Sequence, residues 1–204
     1  MPWSLTRSRT ACSSSLCTWN LADSALGGGE FGDWSATFRA ELEASPWRSV
    51  VREWLPTLLP GYFAGATHGP IRTGHAVRSL EEEDSEIRRR ELAEGLAYWA
   101  AGFRKLPGVP GVDPELGLSA SDLLTRVPIV EARDRRQGFL TDAIGAISDD
   151  GQFSRVLAQF DPGDAPPLGH LAEFCAELTG LYLANPQARI AYIHALTGTS
   201  ALRL

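Results

Sequence analysis

Apolar side chains in this chain recur at three- and four-residue intervals, and no segment sustains a two-residue alternation of polar and apolar. Those periods belong to a helix face and a strand face respectively. Trp47, Val50, Val51, Trp54 and Leu58 mark one buried helical stripe, and Leu92, Leu96, Trp99, Ala100 and Phe103 mark another. β-Branched residues are scattered rather than clustered. The expected fold is all-α, an irregular bundle of roughly seven to nine helices.

Helix punctuation refines this reading. Asp33 is placed to cap a helix through Ala44, and Ser45-Pro46 offers an N-cap followed by proline at the first helical position, opening a helix toward Leu55. Pro56 and Pro60-Gly61 end or bend it. Asp84 or Ser85 starts the next helix, and the stretch from Pro107 to Leu118 is a loop. Ser119 with Asp122 has capping-box spacing, Gln137 to Ile147 is helical, and Asp149-Asp150-Gly151 is a turn. Two further helices are expected, from Pro167 to Leu183 and from Pro186 to the end, the second capped by Asn185. The last has no Gly or Asn after its final apolar residue, so its apolar end is expected to be covered by a further segment or a partner.

A chain of 204 residues suits one sizeable core better than two. Residues 1–32, rich in Ser and Gly, read as a poorly ordered arm, and residues 33–204 as a single helical domain, incomplete at its C-terminus. A net charge of -6 argues against nucleic acid as the main partner. The basic runs Arg88-Arg89-Arg90 and Arg133 to Arg136 have acidic neighbours and read as solvated helix faces. No apolar run approaches bilayer length, and Leu16 to Leu21 falls short of a secretory core. Cys12, Cys17 and Cys175 are odd in number and lack C-x-x-C spacing, which fits a reducing cytoplasm.

Chemistry concentrates in Ala66-Thr67-His68-Gly69-Pro70-Ile71-Arg72-Thr73-Gly74-His75-Ala76-Val77-Arg78, which holds two of the four histidines. Histidine serves as metal ligand or proton carrier near neutral pH, and arginine beside it suits an oxygen-rich or anionic substrate. His68 and His75 lie two turns apart on one helix face with Arg72 between them, ~10 Å along the axis. They therefore cannot chelate one ion side by side unless Gly69-Pro70 breaks the helix. Capping or hydrogen-bonded structural roles are the alternative for each. His194 sits on the stripe of Ile190, Thr197 and Ala201, where an imidazole needs a metal or a partner such as a backbone carbonyl. His170, near a helix start, reads as structural. Gly27-Gly28-Gly29-Glu30-Phe31-Gly32 matches the letters of the dinucleotide fingerprint but lacks the preceding strand. Lys105, beside Arg104 near a helix C-terminus, reads as an electrostatic surface residue.

Leu59-Pro60-Gly61, Ala66-Thr67-His68-Gly69 through Ile71 to Arg78, Glu91-Leu92-Ala93-Glu94-Gly95-Leu96-Ala97-Tyr98-Trp99-Ala100 with Leu106-Pro107, and Arg189-Ile190-Ala191-Tyr192-Ile193-His194-Ala195-Leu196-Thr197 occur in that order. Across Trp34 to Leu204 these blocks resemble the questin oxidase-like proteins. The resemblance implies an all-helical oxidoreductase that oxidises or opens the ring of an aromatic polyketide or quinone-type substrate with molecular oxygen. Some relatives of that kind are non-haem iron mono- or dioxygenases, and others are NADPH-dependent. Carried over, it implies His68, His75 and His194 as metal ligands for iron, and His75 with Arg72 as catalytic residues. Tyr98 and Trp99 would line an aromatic pocket. It also implies longer ends, with further histidines, so that this chain holds part of a metal site. The alternative is a truncated, non-catalytic helical module that binds an aromatic ligand or a partner protein, including a second copy through its C-terminal helix.

Overall fold

The computed structural model describes residues 25–129, 147 and 151–203. Among them the chain is all-α, with eight α-helices and a lone parallel bridge between Leu118 and Phe160 in place of any strand. No described helix is long and apolar enough to cross a membrane. The residues divide into two compact units, Met1–Lys105 and Leu106–Leu204, within the stretch that reads from sequence as one domain. Residues 1–24 of the expected arm, the Arg133 to Arg136 run, Cys12, Cys17 and most of the expected helix from Gln137 to Ile147 lie outside the described residues.

Unit 1 contains α1 (Phe31–Ala44), α2 (Trp47–Leu58), a 3-10 turn (Leu59–Gly61), α3 (His68–Glu82) and α4 (Glu86–Ala101). Two starts differ from expectation. Glu30 rather than Asp33 occupies the N-cap of α1, leaving Asp33 in the first turn, where a carboxylate meets the positive helix end. Pro46 itself is the N-cap of α2, and Ser45 closes α1 through its N–H to the Glu41 carbonyl at 2.9 Å. Pro56 does not end α2, which runs to Leu58. Pro56 and Arg52, whose carbonyl loses its donor, are both exposed, so that group stays open to water. Ser85 caps α4 as expected. The end of the expected arm is packed, since Ala25 and Leu26 join the core and Gly27 N–H donates to Ala100 O at 3.0 Å.

The stripes legible in sequence meet in one core. Trp34 stacks on Phe38 with ring centroids 5.9 Å apart, and Trp54 meets both edge-on at 5.8 and 4.9 Å. Trp54 Nε1 donates to Glu41 Oε2 at 2.6 Å, satisfying the indole at the core's margin. The α3–α4 crossing is tighter. A Cβ on Gly69 would lie 2.8 Å from Trp99 Cα, and one on Gly95 would lie 3.0 Å from Thr73 N. Glycine at both positions lets the two backbones approach, and Trp99, fully buried, donates from Nε1 to Gly61 O at 3.0 Å. Arg88 reaches back from α4 to donate to Ser79 O at 2.6 Å and Glu83 O at 3.2 Å. That guanidinium closes the C-terminal turn of α3, where carbonyls lack helical partners.

Unit 2 contains α5 (Ala120–Arg126), α6 (Gly151–Ala158), α7 (Pro167–Ala184), a 3-10 turn (Pro186–Ala188) and α8 (Arg189–Ala201). The capping box at α5 forms as its spacing requires: Asp122 N donates to Ser119 Oγ, and Ser119 N to Asp122 Oδ2, both at 3.2 Å. The loop before α5 is stapled to the end of α6 by Asp113 N to Ala158 O at 3.0 Å and Leu118 N to Gln159 O at 2.9 Å. The helix expected from Pro186 opens as a 3-10 turn and becomes α-helical only at Arg189. Ala201 near its end is buried. The exposed large apolar residues of this pair sit elsewhere, at Leu168, Leu183 and Ile190.

Candidate functional site

Helix α3 is entered through three successive left-handed residues, Gly65 at φ +55, Ala66 at φ 57 and Thr67 at φ 69. Such a φ suits glycine, whereas a β-branched residue there is a rarity that costs on the order of 1–3 kcal/mol and survives only when its surroundings impose it. The surroundings are visible. Thr67 is buried, and the ring of Tyr98 packs so closely on Gly65 that a Cβ there would lie 2.5 Å from Tyr98 Cε1. This turn delivers the Gly65 carbonyl to His68, which donates to it from the backbone N at 3.3 Å and from Nδ1 at 2.6 Å.

Gly69-Pro70 does not break the helix. Proline sits in the first turn, where its missing N–H costs nothing, and α3 continues to Glu82. His68, Arg72 and His75 therefore share one face, with both histidines exposed and Arg72 half-buried. Arg78 Nη2 donates to His75 Nδ1 at 3.3 Å. The Arg72 guanidinium lies 5.9 Å from the centroid of the Tyr98 ring, which sets it beside the same Tyr98 that packs on Gly65. Its carboxylate neighbours, Glu94 at 3.6 Å and Glu91 at 3.8 Å, hold it by charge beyond hydrogen-bond distance. Glu94 also receives Arg39 of α1 at 3.0 Å and Arg90 at 3.5 Å, so one carboxylate draws arginines from three helices.

Of the two aromatics expected to line a pocket, only Tyr98 reaches the surface. Trp99 is core, because one helical step turns it onto the buried stripe of α4. His194, carried by unit 2, donates from Nδ1 to Ile190 O at 2.6 Å, the carbonyl-bonded arrangement named as the alternative to a metal. His170 packs edge-on against Phe160 at 5.7 Å, and its buried Nε2 has no hydrogen-bond partner among the described residues. Gly27 closes a contact with α4, Ala25 is helical and residues 26–28 form a turn, so the glycine pattern is a turn and not a phosphate cradle.

An iron centre needs several converging donors, two histidines and a carboxylate being a common minimum. Among the described residues no three His, Cys, Asp or Glu side chains gather in that way. His75 presents a second difficulty, since its Nδ1 already accepts from a guanidinium whose positive charge would repel a cation. The described residues thus do not fit a bound iron.

Sequence reasoning missed a second polar feature. A cleft of about 380 Å³ is lined by Glu43, Trp47, Arg48, Asp84 and Arg89, among others, and shares no residue with the α3 face. Arg89 clamps Asp84 with two bonds, Nε to Oδ1 at 2.6 Å and Nη2 to Oδ2 at 2.8 Å, while Arg48 lies 4.1 Å over the Trp47 ring. The Arg88-Arg89-Arg90 run is thus a cap, a clamp and an exposed i,i+4 pair rather than three equivalent solvated charges. The Arg89 bonds hold the Asp84 carboxyl below its ordinary value of 3.8. A depressed folded pKa contributes stability that is present above 3.8 and is lost as the pH falls through the lower folded value. Wild type should therefore melt slightly above Asp84→Asn at pH 6, and that gap should close in thermal scans carried well below pH 3.8.

No known family, no curated protein and no solved structure matches the chain.

Proposed function

We propose that the chain is an oxidoreductase of the questin oxidase-like kind, cytoplasmic, using molecular oxygen to oxidise or open the ring of a small aromatic, quinone-type substrate. The reading is supported by the ordered sequence blocks. The observation that carries it is the exposed face of α3, where His68, Arg72 and His75 stand in line and Arg72 lies over Tyr98. An aromatic ring laid beside Tyr98 would place an oxygen at the Arg72 guanidinium, which stabilises negative charge developing there. His75 would hydrogen-bond a second oxygen. Oxygen chemistry in such enzymes is supplied by iron or by a reduced nicotinamide. Because the described residues do not fit iron, no step is assigned to it, and NADPH enters only as the reductant to be supplied.

The test is oxygen uptake with a hydroxyanthraquinone and NADPH, before and after anaerobic iron loading, with metal content measured alongside. Turnover that falls about 10²-fold or more in both Arg72→Gln and His75→Gln supports the reading. Bound iron lost in both His75→Ala and His194→Ala would restore the metal assignment. No uptake under either condition would end the oxidoreductase reading.

A second reading is favoured by one observation. Leu183 and Ile190 are 72% and 73% exposed on the α7–α8 pair, an apolar surface suited to a partner protein, a second copy of the chain or an aromatic ligand. In that reading the protein binds without turnover, and it is the one that stands if oxygen uptake is nil.

A further inference from the structure

Glu94 is a single carboxylate facing three guanidiniums, and it bonds only one of them. Its Oε1 accepts from Arg39 of α1 at 3.0 Å, whereas Arg90 of α4 stands 3.5 Å from the same oxygen and Arg72 of α3 stands 3.6 Å from Oε2. Both longer separations exceed an ordinary N–H···O bond, and Glu91, 3.8 Å from Arg72, adds charge without a bond. A planar carboxylate fixed to one helix cannot turn its oxygens toward donors arriving from three. A tetrahedral oxyanion can, because it presents an oxygen in each direction, and guanidinium groups pair with it through parallel N–H bonds. Burial leaves the outer side open to one: the Glu94 side chain is 24% exposed, against 38%, 43% and 65% for Arg72, Arg39 and Arg90. Glu94 thus draws the arginines together from beneath, and their outer edges face water. In a chain of net charge -6, three arginines against two carboxylates make a local excess of positive charge.

We propose that Arg39, Arg72 and Arg90 form a binding site for a phosphoryl group, borne by inorganic phosphate or by a small organic phosphate whose carbon skeleton lies along Tyr98. Arg72, 5.9 Å from the centroid of the Tyr98 ring, joins the arginine cluster to that ring. Glu94 is the positioning residue. The inference goes beyond the oxidoreductase reading and shares only Arg72 with it, since Arg39 and Arg90 have no part there.

Titrations with inorganic phosphate and with phenyl phosphate test it, followed by phosphorus NMR or calorimetry. They are made at about pH 8, where a phosphate monoester is a dianion, and at low ionic strength, where screening is least. Saturable binding of phosphate is expected, weakened about threefold or more in each of Arg39→Gln, Arg72→Gln and Arg90→Gln. Arg52→Gln removes the same charge from an exposed position of α2 outside the cluster and should weaken binding less than any of the three. Glu91→Gln removes a carboxylate that competes for Arg72 and should tighten binding, a gain that damage to the fold cannot imitate. Tighter binding of phenyl phosphate, lost in Tyr98→Leu, identifies an organic phosphate as the ligand; equal binding of the two identifies inorganic phosphate. No saturable binding, a loss in Arg52→Gln as large as in the cluster variants, or no gain in Glu91→Gln overturns the site. Oxygen uptake without phosphate binding removes this site alone, and phosphate binding with nil uptake removes only the oxidoreductase reading.

Discussion

Trp99→Ala is expected to lower the stability of unit 1 by about 3–5 kcal/mol, the range for emptying a large aromatic site in a core that cannot collapse. The side chain is fully buried and its Nε1–H satisfies Gly61 O at the turn leading toward α3. Removal leaves a void and takes away one of the two donors to the Gly61 carbonyl, which keeps Ala64 N–H at 3.0 Å. Trp99→Phe separates the two contributions, because it keeps most of the ring and loses the N–H. All six tryptophans lie within Met1–Lys105. Urea unfolding followed by tryptophan fluorescence therefore reports on this unit alone. A loss below about 1 kcal/mol for the alanine variant would show that the α3–α4 core is not packed as described.

Gly69→Ala should destabilise the same unit by about 1–3 kcal/mol, against the usual rule that alanine stabilises a helix interior. The added Cβ would sit 2.8 Å from both Trp99 Cα and Cβ, so the obstacle includes backbone that cannot rotate away. The helices would have to separate. Gly180→Ala is the counterpart, because a Cβ there meets nothing within 4 Å. That change should strengthen α7 by about 0.5–1 kcal/mol, read as slowed amide exchange within the helix. If Gly69→Ala matched Gly180→Ala in sign, the close crossing of α3 and α4 would be wrong.

These contrasts show which parts of the molecule were legible in sequence. The helical stripes were, because burial of one face leaves a periodic record: Trp47, Val50, Val51, Trp54 and Leu58 are all buried. The Ser119–Asp122 capping box was, because both groups belong to one local motif. Asp33 misled because its position in the first turn and an N-cap are equally good places for a carboxylate. For Trp99 the periodicity was the better guide, since it put the residue on the buried stripe of α4, against the pocket-lining role that the resemblance implies. The roles of Gly69 and Gly95 were hidden, since their meaning lies in atoms of the opposite helix. In the candidate site, the alignment of His68, Arg72 and His75 followed from spacing alone. The left-handed Ala66-Thr67 pair did not, because local preference argues against it and only packing around Tyr98 and the buried Thr67 imposes it. Hydrogen-bond partners were equally out of reach, and they are what gives each histidine its character.

The short link between α3 and α4 bears on the order of assembly. Only Glu83, Asp84 and Ser85 separate the two helices, and Arg88 reaches across that link to the last turn of α3. Bringing the pair together closes a very small loop, whereas seating α1 on α4, as in the Arg39–Glu94 contact, joins residues 55 apart. Closure entropy rises with the logarithm of loop length, so the hairpin of α3 and α4 costs less to close than the seating of α1 on α4. The candidate face of α3 can thus be organised through contacts close in sequence, before α1 and its aromatic side chains are seated on α4.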